Sequence, residues 1–417
     1  MKRLTCFLLI LISGNLCGNT CLAQTPAWAW AIKGTSTASV TSAAIGTDAA
    51  GNTYSTGYTF LDISFGNLPP LPKGMFLVKH SAQGIPVWAV QANCQPYASA
   101  TDSAGNTFVT GYFENYPTDT LVLGNDTLIC EGRQDIFIAK FDSMGNVLWA
   151  KKAGGLGYHP LTPILPPIEE DEGFNIATDA EGNCYISANV LVSDTSAAYF
   201  DSVAVYPSQP TLFPRRISVL AKYNTAGQVE WVRRVSDQNS ISLYRKLAVS
   251  PLGDCVVYGT FNYPLYIGGD TLISNGGNDI VIASFNSAGD LNWAAAFGGP
   301  GDEYAGTIAV GSQANIFISG SFKTPFQIGP FALAQSASNS NSLFLAKFSG
   351  NGDVLWASQT TGPGYSGDSQ IAVDQAGNSY VSCTFSDSIY VGSEGFHNPH
   401  TGYDILVSKW GETGQPL

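Results

Sequence analysis

One stretch of the chain decides the fold: residues 135–149 read DIFIAKFDSMGNVLW. Apolar and polar side chains alternate over much of its first half, which is typical of a β-strand because successive side chains point to opposite faces. The segment DSMGN follows, and its glycine tolerates the positive φ of a tight turn. A second short run then carries Trp149. The stretch therefore predicts a β-hairpin with a tryptophan on its second strand.

The same hairpin recurs through the chain. Its tryptophan returns at spacings of 58, 61, 82, 62 and 63 residues, and a glycine stands four residues before each of the last five. A lysine or a serine stands nine residues before each of the same five tryptophans. Fixed offsets identify one supersecondary unit copied along an array, here six repeats of about 60 residues. The repeated tryptophans are Trp30, Trp88, Trp149, Trp231, Trp293 and Trp356.

Each repeat predicts four short strands. In the second repeat a small apolar strand, ASATD at 98–102, and a second strand, NTFVTGYF at 106–113, precede the hairpin. No segment has convincing helical periodicity. Four-stranded sheets repeated radially form a β-propeller, which leaves only short, protected edges. We therefore expect an all-β protein, a β-propeller of six four-stranded antiparallel blades.

The two ends of the chain predict how the ring closes. Lys409 continues the lysine series, so the next tryptophan is due at position 418, whereas the sequence ends at Leu417. The segment AWAIKG at 29–34 resembles WAKKAG at 149–154, a fourth strand. We therefore expect an N-terminal strand to complete the last blade. A seven-bladed or truncated propeller is the alternative.

The repeats resemble a known family, the SBBP-type β-propeller repeats of secreted Bacteroidota proteins. The resemblance is clearest in DQAGNSYV at 374–381 and DIFIAKFD at 135–142, and it covers essentially the whole mature chain. It implies export and a propeller, and it implies no particular activity. Two features depart from the family: its name implies seven blades where we count six, and the type IX sorting domain that often ends such proteins is absent from this sequence.

The N-terminus predicts export. Lys2 and Arg3 precede an apolar run at 4–12 and a small, polar region, the layout of a secretory signal peptide. We assign residues 1–24 to the signal peptide and 25–417 to a single propeller domain. The apolar run is shorter than the roughly 20 residues that span a bilayer. We expect a protein that is secreted or at the cell surface, without membrane insertion.

The charge balance excludes some partners. The formal net charge is −13, and removing Lys2 and Arg3 with the signal peptide makes it −15. Charged residues are only 12% of the chain, against about 25% in an average protein. An acidic chain without a basic cluster repels phosphate backbones. We expect no nucleic-acid partner, and we expect a monomer.

The cysteines predict neither a zinc site nor a disulfide framework. Five remain after the signal peptide, an odd number without C-x-x-C spacing. We interpret them as small buried hydrophobes. Cys94 with Cys130 is the one pairing worth testing. The five are Cys94, Cys130, Cys184, Cys255 and Cys383.

One face of the ring is the predicted binding surface. The connections from second to third strand, and from fourth strand to the next blade, are the longer ones and open on the same side, which we call the long-loop face. The third repeat adds an insertion there, near 156–172. Loops on a rigid scaffold collect binding residues, and aromatic rings suit sugar or peptide contacts. Five tyrosines lie on these connections, and we assign them as the ligand-binding residues: Tyr97, Tyr158, Tyr244, Tyr304 and Tyr365. The alternative is that these tyrosines pack against neighbouring blades.

The remaining polar motifs predict structure rather than chemistry. A repeated Asp at the first turn and a repeated Lys near the second favour a structural pair, because active sites are rarely multiplied around a ring. The acidic run at 169–172 could bind calcium, but it lacks the spacing of a calcium loop and is interpreted as a solvated charge run. The sequence contains none of the G-x-S-x-G, H-E-x-x-H or P-loop motifs. We expect no catalytic residue, no metal site and no cofactor.

These observations favour an exported, non-enzymatic β-propeller that binds a glycan or a protein, or serves as a scaffold, through its long-loop face. Two alternatives stay open because a fold does not determine a function. One is a hydrolase or lyase with a metal in the axial channel. The other is a purely structural fragment of a larger surface protein.

Overall fold

The computed structural model describes residues 30–114, 119–156, 171–208, 214–236, 246–334, 340–364 and 366–417. Their regular elements are all β-strands. Within these ranges there is no helix with the length and hydropathy needed to cross a bilayer. The predicted signal peptide, the insertion at 157–170, and the tyrosines Tyr158, Tyr244 and Tyr365 lie outside the described residues.

Each of the first three repeats contributes six strands. The first has β1 (Gly34–Ser36), β2 (Val40–Thr47), β3 (Thr53–Thr59), β4 (Ile63–Phe65), β5 (Gly74–His80) and β6 (Pro86–Ala92). The second has β7 (Gln95–Thr101), β8 (Thr107–Glu114), β9 (Thr120–Leu123), β10 (Asp126–Ile129), β11 (Gln134–Phe141) and β12 (Val147–Gly154). The third has β13 (Glu172–Thr178), β14 (Cys184–Val192), β15 (Ala198–Phe200), β16 (Val203–Val205), β17 (Arg215–Tyr223) and β18 (Val229–Ser236).

The last three repeats follow the same order. The fourth has β19 (Lys246–Val249), β20 (Cys255–Phe261), β21 (Leu265–Ile267), β22 (Asp270–Leu272), β23 (Asp279–Phe285) and β24 (Leu291–Phe297). The fifth has β25 (Glu303–Val310), β26 (Ile316–Phe322), β27 (Phe326–Ile328), β28 (Phe331–Leu333), β29 (Ser342–Phe348) and β30 (Val354–Gln359). The sixth has β31 (Ser366–Val373), β32 (Ser379–Phe385), β33 (Ser388–Val391), β34 (Glu394–His397) and β35 (Asp404–Trp410).

Four antiparallel strands of each repeat form one blade, and the six blades are arranged in a ring. The blades are β2-β3-β5-β6, β7-β8-β11-β12, β13-β14-β17-β18, β19-β20-β23-β24, β25-β26-β29-β30 and, with three described strands, β31-β32-β35. The short strands between the second and third strands of a repeat form two-stranded ribbons in most repeats. The predicted six-bladed, all-β propeller is confirmed.

The core lies between neighbouring blades. Alternate side chains of β11 face opposite ways: Ile136 and Ile138 pack with the third blade, and Phe137 and Ala139 pack with the first. Each strand of a blade can therefore bury apolar side chains on both faces. Burying one such large side chain contributes roughly 1.5–3 kcal/mol, so contacts between blades hold the ring together.

The repeated tryptophan and lysine join each blade to the next. Trp149 Nε1 donates a hydrogen bond to the carbonyl oxygen of Thr225, in the hairpin turn of the third blade, at 3.1 Å. Lys140 Nζ donates to the same oxygen at 3.4 Å and lies 4.8 Å from the Phe108 ring centroid. The third blade repeats the contact, with Trp231 bonded to Ser287 at 3.0 Å. The lysine therefore serves the joint between two blades.

The glycine of the hairpin turn is required by this tryptophan. Gly227 has φ +77°, and a Cβ there would lie 2.7 Å from the Trp149 ring. Gly182, in the other turn of the same blade, has φ +82° but no atom closer than 3.6 Å. We expect Gly182→Ala to cost about 1–2 kcal/mol through backbone strain, and Gly227→Ala to cost about 1–3 kcal/mol more through overpacking. Urea unfolding of the two variants measures the difference. Equal losses in the free energy of unfolding would contradict the role assigned to the Trp149 side chain.

Residues 30–36 contact the first blade in the way that the fourth strand of a blade contacts the blade after it. Trp30 Nε1 donates to the carbonyl oxygen of Ala82 at 3.0 Å, as each later tryptophan does to the next blade. Gly34 of β1 pairs with Phe65, just as Ala153 of β12 pairs with Phe200. One feature differs from the expected closure. In the described part of the chain the last sheet has three strands, and β1 pairs with β4 rather than with β35.

The joint between the last and first blades buries less apolar surface than the joint between the second and third. Ile405 and Val407 of β35 are 75% and 67% exposed. Ile136 and Ile138, at the corresponding positions of β11, are fully buried. One face of β35 is therefore exposed to solvent, whereas the same face of β11 is buried against the next blade.

The five cysteines in the described part of the chain are buried thiols. Cys184 and Cys255 are completely inaccessible to solvent, which confirms their interpretation as small core residues. Cys94 and Cys130 belong to the same core cluster between the first two blades, but they do not form the disulfide considered above. Burial raises the pKa of the Cys383 thiol to about 11, so this group stays protonated and unreactive at neutral pH.

Candidate functional site

The two described tyrosines of the predicted site lie in first strands rather than in the connections. Tyr97 belongs to β7 of the second blade and Tyr304 to β25 of the fifth. Both lie in the half of the strand next to the long-loop face. The expectation that they sit on connecting loops is therefore corrected. Strand pairing begins at Gln95 and at Glu303, so each first strand starts before its tyrosine.

Tyr97 belongs to a group of three aromatic rings, which we call the aromatic cluster: Tyr97, Tyr112 and Phe174. The Tyr97 ring stacks on that of Phe174, with centroids 5.9 Å apart and an angle of 3°. It meets Tyr112 edge-on at 5.4 Å. Strand β7 is irregular between Pro96 and Ala98, and β13 between Gly173 and Asn175. Tyr97 and Phe174 are the extra residues of these bulges, which re-aim side chains.

A carboxylate and a guanidinium adjoin the aromatic cluster. Tyr97 donates its hydroxyl hydrogen to Glu172 Oε1 at 2.9 Å. Glu172 Oε2 lies 3.9 Å from Arg216 Nη2. Burial raises the pKa of Tyr112, and the negative charges of Glu114 and Glu172 raise it further. Tyr112 therefore remains a neutral hydroxyl, and the site combines aromatic faces with charged hydrogen-bonding groups.

Tyr304 does not join this cluster. It lies at the joint between the fourth and fifth blades, where the neighbouring Glu303 donates its amide hydrogen to the carbonyl oxygen of Asn278. Its side chain is 42% exposed. The structure thus places the two described tyrosines on one face of the ring but at separate joints.

The C-terminal end of the acidic run at 169–172 is fixed by contacts with the rest of the protein. Asp171 accepts two backbone hydrogen bonds, from Gly155 at 2.8 Å and from Leu191 at 2.7 Å. Glu172 faces Tyr97 and Arg216, as described above. Glu169 and Glu170 lie outside the described residues. In the described ranges, no group of three or more His, Cys, Asp or Glu side chains is arranged to hold a metal ion.

The repeated aspartates stabilise the turns on the opposite face, which we call the turn face. Asp48 accepts backbone hydrogen bonds from Ala50 and Asn52, and a third from the Tyr54 hydroxyl at 3.1 Å. Lys79 Nζ lies 4.0 Å from Asp48 Oδ2, and it donates to the Ser143 carbonyl oxygen of the next blade at 3.0 Å. The Asp and Lys side chains are therefore used in turns and blade joints.

Sequence reasoning missed most of the aromatic cluster. Tyr112 occupies the same repeat position as Tyr58, six residues after the turn asparagine, a recurrence visible in the sequence. Phe174 and Arg216 gave no such signal, because their roles depend on a bulge and on pairing between distant strands.

Comparison with known proteins finds distant similarity to a repeat protein. No protein-family profile matches the chain. The chain is 23% identical, over 82% of its length, to an uncharacterized WD repeat-containing protein of Acanthamoeba polyphaga mimivirus, of which it spans 28%.

Solved structures show only distant likeness. A protein of unknown function from Bacteroides caccae is 10% identical, with 82% of this chain and 88% of that chain covered and a TM-score of 0.36. A gluconolactonase from Xanthomonas campestris is 14% identical, with 82% of each chain covered and a TM-score of 0.34. The mimivirus protein to which the chain is similar carries WD repeats, and such repeats build β-propellers.

Proposed function

We propose that the protein is an exported, non-enzymatic recognition module that binds a glycan through the aromatic cluster on its long-loop face. The observation that carries the proposal is the stacked pair Tyr97 and Phe174, contributed by two blades and adjoined by Glu172 and Arg216. All four side chains are partly or largely buried, so their positions are determined by the scaffold.

The chemistry of the cluster suits a saccharide. Aromatic rings provide apolar faces for the C–H surfaces of a sugar, and the oxygen of a tyrosine hydroxyl can accept a hydrogen bond beside them. A carboxylate accepts hydrogen bonds from sugar hydroxyls, and a guanidinium donates them. Binding sites of this kind combine apolar surface with a few placed polar groups. A rigid ring that presents them needs little ordering when a ligand binds.

The use of Asp171 and of Asp48 supports a non-enzymatic role. Both oxygens of Asp171 accept backbone hydrogen bonds, and Asp48 holds a turn. These groups are committed to the scaffold, whereas a general acid or base must be free to exchange a proton with a substrate. Export is supported by the charge and apolar pattern of residues 1–24.

A binding screen tests this function. Purified residues 25–417 are passed over immobilised cell-surface polysaccharides and glycans, with calcium and with a chelator. We expect specific retention on at least one saccharide that free saccharide reverses. If no saccharide retains the protein and a pull-down instead captures a protein partner, the glycan assignment is wrong.

A further inference from the structure

The first blade carries a histidine where each of the other five blades carries Phe, Tyr or Trp. His80 ends the third strand of its blade and pairs with Thr53, the first residue of the second strand. The residues that hold the same register in the other blades are Phe141, Tyr223, Phe285, Phe348 and Trp410. All of them are buried, as is His80. The first blade therefore has, at this buried position, a ring that ordinarily titrates near neutral pH.

His80 lies under residues 30–36, which we call the clasp. The Trp30 ring stacks on the imidazole, with centroids 6.1 Å apart and an interplanar angle of 29°. Phe65 meets the imidazole edge-on at 6.3 Å, and Phe65 also pairs with Gly34 of the clasp. The clasp therefore helps to keep water away from His80.

The joint between the second and third blades has the same stack without a histidine. Trp149 stacks on Tyr223, with centroids 6.4 Å apart and an interplanar angle of 21°. Packing of the repeated tryptophan therefore needs an aromatic ring beneath it, and it does not need an imidazole.

The imidazole has no partner that stabilises a positive charge. Its Nε2 is buried and makes no hydrogen bond within the described ranges. Burial alone lowers the pKa of His80. The charged side chains of the clasp and of the first blade are either exposed or paired with each other: Lys33, Asp62 and Lys73 are exposed, and Lys79 contacts Asp48.

Protonation of His80 opposes the packing of the clasp. A histidine in water has a pKa of about 6.5, so lifting the clasp lets the ring bind a proton that the covered ring does not bind. Lower pH therefore favours the lifted state. Attraction between an imidazolium and the Trp30 ring acts in the opposite direction, but burying an ion without a partner is the larger effect.

The contacts of the clasp allow it to open on its own. Its regular part is the three-residue strand β1, which pairs with β4. Ala31, Ile32 and Lys33 are exposed. Segments with few buried contacts open at a lower free energy than the core of a protein.

We propose that protonation of His80 releases the clasp from the first blade, so that mildly acidic surroundings loosen the joint between the last and first blades. This joint is the one at which Ile405 and Val407 of β35 are exposed, so it has little other apolar packing to replace the clasp. The inference is independent of the glycan proposal.

Hydrogen exchange followed by mass spectrometry tests the device on purified residues 25–417. The parent and His80→Phe are compared at pH 7.5 and pH 5.0, because the ratio of their exchange rates cancels the intrinsic effect of pH on exchange. We expect the ratio of parent to variant at residues 30–36 to rise about tenfold between pH 7.5 and pH 5.0. The pKa of free histidine limits this rise to about thirtyfold.

His80→Phe is expected to fold, because phenylalanine holds this position in three other blades. His80→Tyr, which copies the third blade, is the second variant and is expected to behave alike. The matched internal control is the hairpin β17–β18, where we expect the ratio to stay constant.

Three results would overturn the proposal. A ratio at residues 30–36 that does not change with pH would show that His80 does not control the clasp. Slower exchange of the parent in acid would show that the Trp30 ring stabilises the imidazolium. An equal rise of the ratio in every strand would show that protonation acts on the whole ring rather than on the clasp.

Discussion

Replacing Trp231 by alanine is expected to destabilise the protein by about 3–5 kcal/mol, the usual cost of removing a large buried aromatic side chain. The Trp231 ring is buried between the third and fourth blades. It meets Tyr185 edge-on at 5.9 Å, and the Arg233 guanidinium lies 5.6 Å from its centroid. Its Nε1 donates to Ser287 of the next blade. The substitution thus removes ring packing and a hydrogen bond together.

Trp231→Phe separates the two contributions. It keeps an aromatic ring in the joint and removes the N–H donor, so we expect a loss of about 1–3 kcal/mol. Guanidinium unfolding followed by circular dichroism measures both variants. If the alanine variant loses less than the phenylalanine variant, the tryptophan does not hold the joint in the way described.

Glu303 is expected to make the protein less stable as the pH rises from about 4.5 to about 7. Burial raises the pKa of Glu303 from 4.5 to about 7 in the folded state. Between these values the folded protein binds a proton that the unfolded chain has released, so raising the pH weakens folding. One pKa unit corresponds to about 1.4 kcal/mol, so the shift of about 2.5 units bounds the loss from Glu303 at about 3.5 kcal/mol.

Glu303→Gln is the control for this pH dependence. Its side chain stays neutral, so the variant is expected to be more stable than the parent at pH 8 and to show a flatter profile between pH 5 and 8. Asp135 adds a residual slope of the same sign, because burial raises its pKa to about 6. Asp48 and Asp374, whose pKa values are lowered, act only below about pH 4. Buried His80, whose pKa burial lowers, contributes a slope of the opposite sign in both proteins, so the difference between the two profiles reports Glu303. Identical profiles for parent and variant across this window would contradict the account.

The ring was predictable from the sequence because its signals are local. Strand alternation has a period of two, and the offset between Lys140 and Trp149 is set by one hairpin register, in which these residues pair directly. Turn glycines such as Gly145 mark the hairpins, since the φ of +88° there excludes most other residues. Such local features recur in each repeat, so comparing the six repeats makes them visible.

The binding site was not predictable to the same extent because its members meet only in three dimensions. Tyr97 and Phe174 come together through bulges in two different blades, and alternation patterns do not show where an extra residue falls. Lys79 donates a hydrogen bond to the Ser143 carbonyl oxygen of the next blade, in addition to its contact with Asp48 of its own repeat.

The most direct test of the recognition function compares substitutions on the two faces of the ring by titration calorimetry with a saccharide that the screen identifies. Tyr97→Ala removes one ring of the aromatic cluster. Met144→Ser changes a residue that is 75% exposed in a turn on the turn face. Thermal unfolding confirms that both variants remain folded. We expect Tyr97→Ala to weaken binding by about tenfold or more, equivalent to roughly 1.4 kcal/mol, and Met144→Ser to leave it unchanged. Full affinity in Tyr97→Ala, or an equal loss in Met144→Ser, would contradict the assignment of the long-loop face as the binding surface.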